Sequence, residues 1–482
     1  MSFIDSTIIV VYLVVLLCVG VYANKRQNDM VDYYVAGKSA GVFSITSLWL
    51  SSWIGGAAIM GCSAKAFEMG ITAMWFVGAN AIGCLLFAFT FSGIIKRIGD
   101  NLNQLTYPDF IESRYDSRSR VIATITTIVA YIAYTSSQLV AAGSILHILT
   151  GLDLGWSFVI ATIIIVVYTS IGGFKAVTYT DWIQFILLIV GVVLVGVPLV
   201  TSQMGGISAI GTLPDSYFDI GAWGWPTIIS MTVAQIFTFY TSMDSYTRCF
   251  AAKDEKTAVK GTVYAAIGIV IIALSTTYLG LAAKVLMPNF EAGNSLLTTL
   301  IIRSYPVGIK GLALVGILSA VMSTADICIL TASANVTNDI YKRYINKNAS
   351  QRVLLKVGIA SSLVIGTFSA IMAWKMMDII NILFVAFTIN SAGLFVPTIL
   401  GVFWKKGTSR ASFISMTLSL VTVLVWYGAS SLGLAGIFSA PPLWPGLAVS
   451  FVSYLYFSLK GNKGAGESDH TKRFMNALNS PE

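Results

Sequence analysis

Ser51-Ser52-Trp53-Ile54-Gly55-Gly56 interrupts the middle of an otherwise apolar stretch, residues 43–68. A helix crossing a bilayer has no water to satisfy its backbone, so a break by hydroxyls and paired glycines is tolerated only where the chain lines a cavity. The composition establishes that this stretch belongs in a bilayer. Hydrophobic residues make up 56% of the 482-residue chain and charged residues 11%, against roughly 25% charged residues in soluble globular proteins. Mean hydropathy is +0.78. So little charge cannot cover a water-facing surface, which excludes a soluble multidomain enzyme, a disordered chain, collagen and a coiled coil. The five cysteines, Cys18, Cys62, Cys84, Cys249 and Cys328, show no CxxC spacing and read as small core residues. No Walker loop or HExxH motif occurs, so neither an ATP-driven pump nor an enzyme is expected.

Measured against roughly 20 apolar residues per crossing, the chain divides into about thirteen spans. These are 5–23, 43–68, 70–95, 121–150, 154–172, 178–202, 225–245, 260–286, 309–338, 353–374, 377–403, 411–431 and 442–460. The first is not a cleaved leader, because Met1 to Thr7 has no basic residue while Lys25 and Arg26 follow the apolar stretch. With the N-terminus outside, an odd number of crossings places the C-terminus in the cytoplasm. All basic residues except Lys65, Lys284, Arg303, Lys310 and Lys375 then fall on the cytoplasmic side, as positive-inside topology requires. The net charge of +8 is therefore a topology signal, and no nucleic-acid partner is expected.

A second interruption lies five spans after the first, where the seventh span carries Gln235 and then Phe239-Tyr240-Thr241-Ser242-Met243-Asp244. Paired breaks in corresponding halves mark secondary transporters built from inverted repeats. The competing reading of Gly55 and Gly56 is close helix packing. The ninth span holds Ala320-Val321-Met322-Ser323-Thr324-Ala325-Asp326. Its hydroxyl oxygens suit a hard cation, and so little charge favours a monovalent one. Asp326 follows Ser323 by one helical turn, and an intramembrane acid usually marks an ion or proton path. Serine and threonine bonding back to their own helix is the alternative. Asp181 has two readings as well, a site residue or an N-terminal acid favoured by the helix dipole. His147 and His470 have no partner at ligand spacing, and the sequon at Asn348 falls in a cytoplasmic loop.

Several segments resemble the sodium:solute symporter family. They are Asp32-Tyr33-Tyr34-Val35-Ala36-Gly37-Lys38-Ser39, and Tyr168 to Val177 running into Thr180, Asp181 and Gln184. Pro108-Asp109-Phe110, Arg248 with Phe250-Ala251-Ala252-Lys253, Ala320 to Thr324, and Asn338-Asp339-Ile340-Tyr341-Lys342 follow in the family's order. The resemblance implies an all-α integral membrane protein with a leucine-transporter-like core of two inverted five-helix repeats. The expected division is an extra helix and loop at 1–42, the first repeat at 43–202, the second at 203–403, and two further helices with a short cytoplasmic tail at 404–482. It also implies a sodium site made by the carbonyls of Ser51, Ile54 and Ala320 and the hydroxyls of Ser323 and Thr324. A second ion or proton site would involve Asp181 and Asp326, although Asp326 replaces a hydroxyl there and Ile327 follows it.

For the solute, the resemblance implies a cavity lined by Trp53, Tyr134, Gln138, Gln235 and Phe239, with plain packing as the other reading of Trp53 and Phe239. Tyr134 stands where the sialic-acid branch carries an arginine, and the proline branch also has a tyrosine there. The Trp53 segment is similar to that of high-affinity choline transporters, while Ser242 and Ile82 occupy other positions of their aromatic cage. The expected function is a multi-pass cell-membrane symporter coupling sodium entry to import of a small solute, proline-like or choline/betaine-like. It needs no organic cofactor and no obligatory protein partner. Two alternatives stand beside it: a transporter-like solute sensor, and a proton-coupled symporter of a monocarboxylate or pantothenate-like solute.

Overall fold

A computed structural model of the protein describes residues 2–24, 38–291, 293–434, 436–461 and 469–480, with the backbone alone at 16–17, 19–24, 171–182 and 184–185. The described residues are helical, and a single bridge between Ala40 and Ala252 takes the place of any strand. Eight of the described helices are long and apolar enough to cross a membrane, beside shorter apolar helices at Phe3–Val15 and Leu154–Ser170.

Both expected interruptions are breaks in the backbone. The second span is two helices, Val42–Trp53 and Gly56–Met69, parted at Ile54 (φ −112°, ψ 70°) and the extended Gly55. The seventh is also two, Trp225–Thr241 and Met243–Ala251, parted at Ser242 (φ −70°, ψ 132°). Ser242 starts the second half by accepting a hydrogen bond from the Asp244 N–H at 3.3 Å. The glycine pair serves packing as well as the break. A Cβ on Gly56 would stand 2.3 Å from Val321 Cγ2 and 2.9 Å from the Ile317 carbonyl, so only glycine lets the ninth span approach.

Helix ends nearer water are closed by their own side chains. Thr106 and Asp109 exchange hydrogen bonds in a capping box at Tyr107–Arg114, and Asp116, Asp254, Asp378 and Thr408 cap the helices that follow them. Such a cap is worth about 1 kcal/mol. Asp5 does more than precede the first span. It is fully buried, and its carboxylate accepts from the N–H groups of Gly308 (2.8 Å) and Gly311 (3.1 Å), holding the first helix to the start of the ninth span, Ile309–Ala334.

Three sequence expectations need adjustment. Residues 154–203 are helical throughout, so the expected boundary between the fifth and sixth spans at 173–177 is not a helix end. The ninth span continues past its expected end through the wide turns of Asn335–Ile345. The tail, expected as a short polar extension, contains a helix, Asp469–Asn479.

That helix packs at the end of the molecule where the basic residues gather. Phe474 is fully buried with its ring edge-on to Phe110 at 5.3 Å. Arg97 donates to the Leu478 carbonyl, Asn101 to the Ala477 carbonyl and Arg114 to the Thr471 hydroxyl. At the same end Arg120 meets Asp109 (2.7 Å), Glu112 (2.6 Å) and the buried Asp339, while Arg343 also pairs with Glu112. This cluster ties the start of the fourth span to the end of the ninth.

Candidate ion and solute site

The break in the second span, the ninth span and the fourth span, Ser117–Thr150, converge on Gly55. A helix leaves the carbonyls of its last turn without intrahelical donors. Leu50 finds one in the Ile54 N–H at 3.1 Å, and the next carbonyl, Ser51, lies 3.2 Å from the Thr324 hydroxyl. That hydroxyl is also 3.0 Å from the Ala320 carbonyl, so one proton faces two carbonyl oxygens from different spans. Ser51, Ile54, Ala320, Ser323 and Thr324 are all buried. Neutral oxygens gathered in this way suit a hard monovalent cation. Among the described residues no group of three or more His, Cys, Asp or Glu is placed to hold a metal ion.

Gln138 completes the junction. Its side-chain carbonyl accepts from the Ala57 N–H at 3.3 Å, satisfying an otherwise unpaired amide at the start of Gly56–Met69. A Cβ on Gly55 would stand 2.7 Å from the Thr324 hydroxyl and 3.0 Å from either terminal atom of Gln138. The position holds three elements together by having no side chain.

A narrow cavity opens beside this junction, walled by Trp53, Gly55, Asn80, Tyr134, Gln138, Asp244, Thr324, Cys328 and Phe387 among others. Tyr134 packs edge-on against Phe387 at 5.3 Å. The Trp53 indole N–H and the Asn80 amide oxygen are buried and make no hydrogen bond to the described residues. Asp244, the carboxylate in the wall, pairs with Arg248 at 3.3 Å, and its own N–H donates to the Tyr131 hydroxyl.

Of the residues expected to line a solute cavity, Trp53, Tyr134 and Gln138 do so. Phe239 does not: it is fully buried behind Trp53, the two rings stacked at 3.7 Å and 17°. Gln235 is fully buried outside the wall, and its amide makes no hydrogen bond to the described residues. Asp326 turns away from the Ser51–Thr324 junction. It is fully buried and accepts a hydrogen bond from Thr169 of the fifth span. The side chain of Asp181 lies outside the described residues. Sequence reading missed Asn80, Asp244, Cys328 and Phe387 as wall residues. Asn80 carried a usable signal, as a lone amide in an apolar span.

The sequence profile of the sodium:solute symporter family matches residues 33–419. The high-affinity proline transporter PutP of Bacillus subtilis (strain 168) is 26% identical over 483 residues, covering 92% of this chain and 95% of its own. The sodium/proline symporter of Escherichia coli (strain K12) is also 26% identical, covering 97% and 95%. These relatives are transporters, not enzymes. Among solved structures, the substrate-bound outward-open state of a Na+-coupled sialic acid symporter superposes with a TM-score of 0.78 at 22% identity, over 95% of this chain and 98% of that one. Mhp1, a nucleobase-cation-symport-1 family transporter, follows with 0.59 at 16% identity, over 92% and 98%. Both share the expected leucine-transporter-like, all-helical fold.

Proposed function

Because the chain belongs to the sodium:solute symporter family, we propose that it imports a small zwitterionic solute, proline first and betaine second, by coupling its entry to that of sodium. The observation that carries this reading is the shared wall: Gly55 and Thr324 of the oxygen junction also line the solute cavity. Sodium held by the carbonyls of Ser51, Ile54 and Ala320 and the hydroxyls of Ser323 and Thr324 would join the second and ninth spans. An ion that binds one arrangement of these spans more tightly than another biases the equilibrium between them. The solute would sit against Trp53, Tyr134, Gln138 and Asn80. A free indole N–H and a free amide oxygen in one wall favour a solute that carries both an acceptor and a donor, as proline's carboxylate and secondary ammonium do; betaine offers the carboxylate but only an N–H-free cation to the oxygen, which ranks it second.

The orientation belongs to the same proposal, with the Arg120 cluster and the C-terminus in the cytoplasm and the protein in the cell membrane. The cluster would hold the cytoplasmic end shut, and release would follow when the first and second repeats rock apart there. The test is uptake into proteoliposomes of labelled proline, betaine, choline, short monocarboxylates and pantothenate, with and without an inward sodium gradient. Accumulation of proline or betaine that collapses when potassium replaces sodium is expected. Accumulation that follows a proton gradient alone, or of an anionic solute only, overturns the proposal.

A further inference from the structure

The tail helix, Asp469–Asn479, is tied down at both ends and in the middle. Near its start the Thr471 hydroxyl accepts from Arg114 at 2.9 Å. At its end, where a helix leaves its last carbonyls without donors, Ala477 accepts from the Asn101 amide at 2.9 Å and Leu478 from Arg97 at 3.3 Å. Between these ties Phe474 closes on Phe110. The helix has only 11 residues, too few to be stable alone in water. It is helical because it is docked, and leaving its seat would unwind it. Docking and folding are therefore one event, which makes the tail a two-state element.

Its partners connect three spans. Arg97 and Asn101 lie on Gly93–Asn101, the helix that ends the third span. Arg114 is buried, and besides Thr471 it holds the carbonyls of Gly401 (2.6 Å) and Trp404 (3.2 Å) at the end of the eleventh span, Ile379–Phe403. Phe110 also meets Tyr246 at 5.1 Å, and Tyr246 belongs to Met243–Ala251, the inner half of the broken seventh span. We propose that the tail helix is a latch. Docked, it fastens the inner ends of the third, seventh and eleventh spans and keeps the cytoplasmic side closed. It must leave its seat before Met243–Ala251 can swing away from Tyr107–Arg114. The Arg120 cluster joins a different pair, the fourth and ninth spans, so the latch adds a second closure that an element outside the transport core controls. This inference rests on the proposed orientation, with this end of the protein in the cytoplasm.

Cys328, buried in the wall of the central cavity, is a built-in reporter of inner opening. The test measures its modification in the full-length protein by a membrane-impermeant thiol reagent applied to the cytoplasmic face of inside-out vesicles, with Cys328→Ser giving the background from the other thiols. Phe474→Ala should speed labelling at least about tenfold, and Asn101→Ala, which loses one hydrogen bond, about fivefold. Thermal unfolding checks that each variant is folded, and if Phe474→Ala is not, Asn101→Ala decides. A tail that merely stabilises the protein would lower the unfolding temperature and leave the labelling rate at the wild-type value, and that result refutes the latch. Conversely, joining Asn101→Cys to Ala477→Cys with a short thiol cross-linker should stop uptake until a reductant releases it; undiminished uptake by the cross-linked protein also refutes the latch. Limited proteolysis of the wild-type tail from each face separates the two readings. Cleavage from the outer face overturns the orientation and the latch with it, whereas cleavage from the cytoplasmic face with unchanged Cys328 labelling in the variants overturns the latch alone.

Discussion

Gly55→Ala adds one methyl group where three helices meet, and its effect follows from distances. The backbone at Gly55 (φ −72°, ψ 159°) suits any residue, so the cost is steric. The new Cβ would lie 2.7 Å from the Thr324 hydroxyl, whereas ordinary contact begins at 3.4 Å, and it would meet both terminal atoms of Gln138 at 3.0 Å. Relief requires the hydroxyl to withdraw from the carbonyls of Ser51 and Ala320, and Gln138 to loosen its hold on the Ala57 amide. Forcing a methyl into a packed interior costs about 1–3 kcal/mol, and each weakened hydrogen bond about 1 kcal/mol. If about 1.4–2.8 kcal/mol of this falls on the ion-bound state, half-saturating sodium rises about 10- to 100-fold. The assay is sodium-dependent uptake by purified protein in proteoliposomes, with thermal unfolding as a check on folding. Gly78→Ala is the control, because nothing lies within 4 Å of its added Cβ and alanine is the better helix former. A folded Gly55→Ala protein with wild-type sodium dependence would refute the assignment of this junction to the ion.

Four further outcomes are expected. Thr324→Ala should raise half-saturating sodium at least about tenfold while Thr324→Ser stays near wild type; equal behaviour of the two would remove the hydroxyl from the site. Asn80→Leu should weaken solute half-saturation by about tenfold and leave sodium activation, measured at saturating solute, unchanged. Arg120→Met strands Asp339, whose side chain is fully buried; breaking such a pair costs about 3–5 kcal/mol, so the unfolding temperature should drop clearly, and an unchanged value would count against the cluster's role. Phe474→Ala removes the ring buried against Phe110, a loss of about 3–5 kcal/mol for a core phenylalanine. The tail helix should then become open to limited proteolysis while the spans stay folded; a protease-resistant tail would show that its docking rests on other contacts.

The breaks were legible because polarity inside a membrane span has few innocent explanations. Ser51 to Gly56 and Phe239 to Asp244 identified both broken helices, and Ser323-Thr324 identified the segment that meets the first break. What one sequence does not carry is the azimuth of a helix that is apolar all round. Phe239 and Trp53 are equally aromatic and equally central, yet one stands in the cavity wall and the other behind it, a choice made by how the seventh span rotates against the second. Asp326 shows the same limit, since its distance from Ser323 fits one face while packing turns it toward Thr169. The tail helix escaped notice because its few apolar residues, Phe474, Met475 and Ala477, bury themselves against partners far away in sequence.

The oxygens that meet at the junction, the carbonyls of Ser51 and Ala320 and the hydroxyl of Thr324, carry no formal charge. The carboxylate in the adjoining wall, Asp244, is already balanced by Arg248. A cation lodged at that junction therefore travels with its own charge uncompensated, and a zwitterion beside it adds nothing to the total. Each turnover would carry current, and the membrane potential would act on it as a force equal in kind to the concentration gradient. About 2.3 kcal/mol is available per elementary charge for every 100 mV, enough for a roughly fifty-fold accumulation of solute with no sodium gradient at all. A carboxylate in the ion's coordination shell would leave that total unchanged, because the protein's own charge returns with the empty carrier, so the neutrality of the junction decides instead which step feels the potential: the loaded crossing, not the empty return.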